Sequence, residues 1–426
     1  MNDPKIAIVG AGLCGSLMAN YFSARGFNVD VFEARLDIRT LSGTSGRSIN
    51  LALSHRGIHA LKKVGLFEKV KPLMLPMKGR MIHQAGQPLE LQPYGVQDDH
   101  VIYSVSRRML NQVLVEAADV DPQIHLYFDH KCMDIDFTTK TLTLKQHPSG
   151  ERVSRTYDVL FGTDGAFSKV RQRMMRKGRF NYSQHYISHG YKELTLAPGE
   201  GGSFQLDPEA LHIWPQKSFM LIALPNTDGS FTLTLFLDFE GDISFAALND
   251  QSKVRAFFKE YFPDLSGFLP DLEDEFFQNP TGEMISVSVD PWHLGQSAMI
   301  LGDATHAIVP FYGQGMNASF EDVRLFFEVF DQNQNLEKTI AIFSQKRKPD
   351  TDAIAGMALE NFIEMRDGVI DPTYLERRKL EQALEKDQDS NFQSKYTMVS
   401  FTDIPYAKAK RLALENKKII EGMLKA

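Results

Sequence analysis

Gly10, Gly12 and Gly15 stand in the spacing Gly-x-Gly-x-x-Gly, directly after the apolar run Ile6-Ala7-Ile8-Val9. The first glycine permits a tight strand-to-helix turn. The second lets the backbone approach a pyrophosphate, and the third lets the helix pack closely on the sheet, with the diphosphate at the helix's positive end. Gly10-Ala11-Gly12-Leu13-Cys14-Gly15 therefore reads as a dinucleotide cradle, with Leu13 and Cys14 in the first helical turn. Glu33 follows Gly15 by 18 residues, at the end of the run Val29-Asp30-Val31-Phe32. A carboxylate placed there accepts hydrogen bonds from an adenosine ribose. Phe32, Ala34 and Arg35 flank it along the same nucleotide; Arg35 and Arg39 read equally well as surface charges. The competing reading is a glycine-rich turn in an unrelated α/β protein. A strand, a helix and an acid in the right order argue against it.

A second group has its own chemistry. Gly302-Asp303-Ala304-Thr305-His306 follows Ala298-Met299-Ile300-Leu301 and precedes Pro310-Phe311-Tyr312-Gly313-Gln314-Gly315-Met316-Asn317. Asp303, at a strand end, can accept from a ribityl hydroxyl. The backbone N–H groups of residues 313–317, Met316 and Asn317 included, suit the pyrimidine end of a flavin, where negative charge collects on reduction. With the first segment this means FAD held along its whole length. Pro310, Phe311, Gly313, Gln314 and Gly315 form the candidate catalytic turn, which supplies donors and keeps water out.

The elements that must position these groups alternate along the chain. Residues 5–33 read β-α-β. Residues 107–119 read as an amphipathic helix with Met109, Val113 and Glu116 about a turn apart. Residues 124–160 are strand-rich, with a turn at Pro148-Ser149-Gly150. A buried strand over 157–162 enters Thr163-Asp164-Gly165, strands recur from about 187 to 240, and the chain is helical after 315. The β-rich block interrupts two nucleotide-type segments. The fold class is therefore α/β: a Rossmann-like FAD-binding domain (1–75, 101–180, 291–345), an inserted antiparallel β-sheet substrate domain (76–100, 181–290) and a helical C-terminal region (346–426).

Composition sets outer bounds. A chain of 426 residues, 43% hydrophobic, can bury a sizeable core, and a net charge of -7 gives no reason to expect nucleic acid as a partner. Two cysteines, Cys14 and Cys132, suggest no disulfide framework and fit a reducing compartment. A strand begins at once, leaving no room for a signal peptide, and no apolar run of about 18 residues spans a bilayer. A cytoplasmic protein is expected. His83, His212 and His306 have no spacing to further ligands, so no metal is expected. The lysine-rich amphipathic segment 407–426 reads as a solvated helix packed on the domain, with contact at a membrane surface as the lesser alternative. Oligomeric state is left open, a homodimer included.

Residues 10–15, Asp164-Gly165 with Arg171, and Gly302-Asp303 resemble the three fingerprints of the class A flavoprotein aromatic hydroxylases. Within that class, Arg47-Ser48-Ile49-Asn50-Leu51-Ala52-Leu53, Gly79-Arg80-Met81-Ile82-His83, Leu211-His212-Ile213-Trp214-Pro215, residues 357–365 and Tyr396-Thr397-Met398-Val399 resemble the kynurenine 3-monooxygenase family, from residue 5 to about 410. Eukaryotic members carry a membrane-anchoring tail; this chain, ending at Ala426, is similar to the shorter, soluble bacterial form. Thr305, where Ala is usual, and Tyr312, at an aromatic or histidine position, are small departures. The resemblance implies FAD, NADPH as a transient hydride donor, O2 activated as a flavin C4a-hydroperoxide, and L-kynurenine hydroxylated ortho to its aniline nitrogen. It implies cofactor contacts for Ala52, Arg107, Cys132, Asp164 and Gly165. It also implies a carboxylate clamp at Arg80, whose fork suits that group, with hydroxyl donors at Tyr94 and Tyr396 and a polar anchor at Asn361. Met220, Ile222, Leu224, Phe236, Phe311 and Met365 would wall the ring pocket. Glu364 either meets the substrate amine or holds Tyr396. The rivals are a hydroxylase of another anthranilate-like or phenolic acid and a non-catalytic FAD-binding redox protein.

Overall fold

The computed structural model describes residues 4–40, 50–368, 371–387 and 390–425; Arg47, Ser48, Ile49 and Ala426 lie outside the described residues. Strand Ile6–Val9 is apolar at every position because it is central to a parallel sheet covered on both faces. The six strands lie in the order His293–Leu294, Ala298–Ile300, Val159–Gly162, Ile6–Val9, Val29–Phe32, Ile124–Tyr127, parallel except for the first. This order explains why distant motifs meet. The carboxyl ends of four adjacent strands lead into Gly302, Thr163-Asp164, Gly10 and Glu33 on one edge of the sheet, the edge at which open α/β sheets bind ligands.

Helix Leu13–Ser23 packs against Arg107–Asp119 and Gly315–Asn333. In Arg107–Asp119 the buried stripe is Leu110, Leu114, Ala117 and Ala118, whereas Met109 and Glu116 are exposed and Val113 only half-buried. The trio spaced a turn apart in the sequence thus marks the outer side. The inner stripe is one residue further round and is set by contact with Leu13–Ser23.

The second sheet has seven strands, in the order Gly282–Asp290, Asn181–Leu196, Phe231–Asp238, Met220–Pro225, Ala210–Pro215, Gly79–Ile82, Glu90–Pro93. It is antiparallel but for Ala210–Pro215 beside Gly79–Ile82, which run parallel because the latter arrives early in the chain and not through a hairpin. Alternation along Met220–Pro225 sorts its side chains. Leu221 and Ala223 join a core under helices Gln251–Tyr261 and Leu272–Gln278, while Met220, Ile222 and Leu224 face helix Leu336–Asp367 and the turn at Phe311 and Tyr312. On the first face His83 bridges Asp264 and His212, and His212 Nε2 donates to the Asp207 carbonyl (2.8 Å). Burial pushes the His212 imidazolium down to about 4, so it stays neutral. His83 and His212 are thus tied to hydrogen-bond partners. Among the described residues no helix is long and apolar enough to cross a membrane.

A buried ionic network fixes helix Gly315–Asn333. Glu321 accepts from Arg56 Nη1 (2.6 Å) and pairs with Arg347 Nη2 (2.8 Å), while Asp322 pairs with Arg347 Nε (2.8 Å) and with His306. Burial raises both carboxyl pKa values, but the surrounding cations outweigh it and hold both groups below the ordinary range. Removing one partner strands the others. Arg347→Ala should therefore cost about 3–5 kcal/mol of stability in denaturant unfolding. Groups with depressed folded pKa values contribute stability that is present above the unfolded value of about 4 and is lost as pH falls below it. Acid titration of the wild type should show this loss, and Arg347→Ala should show a shallower one.

Candidate active site

A single cavity of about 640 Å³ runs along the carboxyl edge of the parallel sheet and turns toward the seven-stranded sheet. At one end it is lined by Phe32, Glu33, Ala34, Arg35 and Cys132; Gly10, Gly12, Leu13, Cys14, Arg107, Asp164 and Gly165 follow. Its middle holds Ala52, Asp303, Pro310, Phe311, Gly313, Gly315 and Met316. Its far end is walled by Ile222, Leu224, Phe236, Met365, Arg80, Tyr94 and Tyr396.

The glycines behave differently from one another. Gly10 has φ +104°, and a Cβ there would lie 2.7 Å from the Thr163 carbonyl oxygen. A Cβ on Gly15 would collide with the Gly10 carbonyl, so this residue sets helix–sheet packing and does not line the cavity. A Cβ on Gly12 meets nothing within 4 Å: it would project into the cavity. No side chain caps helix Leu13–Ser23, so its first N–H groups are left for a ligand, as a pyrophosphate requires. Glu33 Oε2 accepts from Ala11 N (2.8 Å) and Oε1 from Arg35 N and Nε (3.0 and 2.8 Å). The acid that faces the adenosine end therefore also braces the glycine turn. Asp164 caps helix Lys169–Met174 through Lys169 N (2.6 Å) and Val170 N (3.1 Å). Arg171 joins the second fingerprint to the third by donating to the Ala166 and Ala304 carbonyls (2.6 and 2.8 Å). Both cysteines are buried thiols; burial pushes Cys132 up to about 12 and Cys14 well above its ordinary value.

The turn at residues 310–315 is held from behind. Gly313 takes φ +64°, a left-handed conformation that glycine adopts freely. Asn317 donates to the Ala52 and Gly313 carbonyls (2.8 and 2.7 Å) and accepts from Ser54 N (2.9 Å). Gln314 accepts from Tyr406 Oη (2.8 Å), and Asn361 donates to the Phe311 carbonyl (2.7 Å). These three side chains do not line the cavity but position the turn. Met220 likewise lies behind the wall, buried in the core. Helix Gly315–Asn333 has no side-chain cap, which leaves donors at the ring end.

At the far end Arg80 is buried and its Nε has no partner. Tyr94, Tyr396 and Tyr312 form a stack, with centroids 5.0 and 5.6 Å apart. Arg80 lies over Tyr396 at 5.3 Å. Behind them is a second cavity of about 330 Å³, sharing Arg80, Tyr94, Tyr312 and Tyr396 with the first. Glu364 lines this second cavity alone, accepting from Tyr374 Oη (3.0 Å) and standing 3.7 Å from Lys395 and 3.9 Å from Arg80. Burial raises the Glu364 pKa, but Lys395 and Arg80 outweigh it and keep the carboxylate ionised. Tyr374, Lys395 and Arg378 carry no signal in the sequence, because on C-terminal helices tyrosine and cations read as surface residues; Tyr312 stands out there only as a departure. His306 pairs with Asp322 and holds the third fingerprint's helix.

The cavity fits FAD: an uncapped helix and an open Gly12 at the phosphates, an acid at the ribose, and a donor-bearing turn at the ring. Fold and site together define a flavoprotein. The family model described as "FAD binding domain" matches residues 3–330. Kynurenine 3-monooxygenase of Myxococcus xanthus is 44% identical over 98% of this chain and 89% of its own, and that of Dictyostelium discoideum 42% identical over 100% and 94%. Among solved structures, p-nitrophenol 4-monooxygenase PnpA from Pseudomonas putida shares the fold (TM-score 0.70, 18% identity, 98% of each chain). The chain belongs to the kynurenine 3-monooxygenase family of FAD-dependent enzymes.

Gly12→Val should fold with a near-wild-type melting temperature as apoprotein yet lose FAD affinity by at least about tenfold, since its side chain fills pyrophosphate space. Gly15→Ala should instead lower stability itself. Bound-flavin absorbance and apoprotein melting separate the two.

Proposed function

We propose that this protein hydroxylates L-kynurenine to 3-hydroxy-L-kynurenine, consuming NADPH, O2 and a proton and releasing NADP+ and water. The observation that carries the substrate assignment is Arg80: a buried guanidinium at the ring end of the flavin cavity, its Nε unpartnered and its nearest carboxylate 3.9 Å away. That pair is too long for a hydrogen bond, so the fork keeps donors for an incoming carboxylate. Tyr94 and Tyr396 add hydroxyls beside it, and Ile222, Leu224, Phe236 and Phe311 present an apolar wall to an aromatic ring. Glu364, on the opposite side of Arg80, steadies Arg80 and Tyr374 and is a positioning residue.

Bound FAD would store the hydride and activate oxygen. The chain's own residues clamp the amino-acid head, place the ring against the turn at 310–313 and exclude water. The aniline nitrogen activates the carbon ortho to it, so no strong protein base is demanded. We place this activity in the cytoplasm; among the described residues no helix is long and apolar enough to cross a membrane. A hydroxylase of another anthranilate-like acid is the second reading; it would need less of the Arg80 and tyrosine set, which suits an amino-acid head.

L-kynurenine should accelerate NADPH oxidation, with a product one oxygen atom heavier by mass spectrometry. Stable bound FAD with no kynurenine-stimulated NADPH oxidation would point to the non-catalytic reading, whereas equal flavin reduction rates with and without kynurenine would count only against substrate gating.

Arg80→Ala should lose about 2–3 kcal/mol of apparent kynurenine binding, because a charge-assisted pair is removed, with FAD content unchanged. Arg80→Lys should recover only part. Decarboxylated kynurenine should bind the wild type weakly and be indifferent to the substitution. Equal losses for both ligands would assign Arg80 to pocket architecture.

A further inference from the structure

We propose that His55, His59 and Asp403 form a binding site for a divalent transition-metal ion of the zinc type, which staples the segment following helix Lys395–Ser400 to helix His55–Lys63. His55 and His59 are separated by one helical turn, so their imidazoles share a face. Their ligand atoms and the Asp403 carboxylate all lie within 4.8 Å of one another, the one such three-residue group among the described residues. Asp403 Oδ2 is 3.0 Å from both His55 Nε2 and His59 Nδ1. Ligands about 2.0–2.1 Å from a tetrahedral zinc stand about 3.3 Å from one another, so small side-chain movements complete the set.

The carboxylate is already oriented for this. Its other oxygen, Oδ1, accepts from Arg324 Nη2 (3.1 Å) and lies 3.2 Å from His59 Nδ1, so Oδ2, which faces both imidazoles, is the ligand. Arg324 is itself buried and paired with Glu321 (3.3 Å) and Glu328 (2.7 Å), so its charge is matched and its position fixed. An outer partner of this kind is what holds ligating carboxylates in place. Both histidines and Asp403 are partly exposed, so the ion enters from solvent and keeps water in its open position. The hydrogen-bonded arrangement is the metal-free state, and binding displaces protons from the imidazoles. The staple reaches the substrate end through the chain: Asp403 lies three residues after helix Lys395–Ser400, which carries Tyr396.

The test is equilibrium dialysis of the untagged FAD-loaded protein against zinc chloride, with melting temperature as a second readout. One chelator-reversible zinc per chain and a zinc-dependent rise in melting temperature are expected. His55→Gln with His59→Gln should abolish both, and Asp403→Asn should weaken binding by at least about tenfold. His125→Gln, at another exposed histidine beside Asp30, should still bind one zinc. Should the glutamine variant fold poorly, judged by circular dichroism and FAD content, His59→Cys decides: a thiolate is also a zinc ligand, so retained binding supports the site and lost binding counts against it. Undiminished stoichiometry in the double glutamine variant, or substoichiometric binding by the wild type, overturns the proposal.

Discussion

Two adjacent carboxylates, Glu321 and Asp322, are buried on helix Gly315–Asn333, and the elements around the turn at residues 310–313 are referred to their positions. Ions taken out of water must be paired, and here each partner comes from a different part of the chain. Arg56 brings the helix beside Asn50–Leu53, Arg347 brings the long helix carrying Asn361, and His306 brings the turn after Asp303. Arg56 also donates to the carbonyls of Val399 and Ile404, which docks the C-terminal segment. Apolar residues of the same volume would serve stability about as well, whereas removing one partner is costly, and the paired network admits few alternative arrangements. It thereby fixes where the uncapped end of helix Gly315–Asn333 meets the turn at residues 310–313.

What could be read in advance was what is local. The glycine motif, its flanking strands and Glu33 lie within one βαβ unit, where a strand period, a helix start and a carboxylate follow one another directly. The fingerprints around Asp164 and Gly302 were legible for the same reason: each ends a parallel strand. The face of helix Arg107–Asp119 was not, because a helix with apolar residues on two sides declares its buried stripe only when its neighbour is known. Gln314, Asn317 and Asn361 show the same limit at the site. Gln314 and Asn317 belong to the turn expected at the flavin, and the resemblance implies Asn361 as a substrate anchor, but only tertiary placement reveals that their amides grip backbone carbonyls or Tyr406 and do not line the cavity. Arg56, Glu321, Asp322 and Arg347 left no trace at all, since charged residues on helices ordinarily face water.

The Arg80 end of the cavity depends on a wall one aromatic ring thick. Tyr94, Tyr396 and Tyr312 stand with the flavin cavity on one side and a cation-rich cavity on the other. Arg80 borders both, its charge moderated from behind by Glu364. The guanidinium is thus pre-oriented before any ligand arrives, and little conformational freedom remains to be lost on binding.

The two thiols have a use outside catalysis. Cys14 and Cys132 are buried, their ionisation is suppressed, and both border the nucleotide arm of the flavin cavity, so neither offers the thiolate that electrophiles attack. With the flavin seated over them, a small alkylating reagent would label them only in molecules that have opened at the sheet edge or lost the cofactor. The chain thus carries an intrinsic, dye-free gauge of local unfolding, whose labelling rate counts excursions of the cofactor domain independently of turnover.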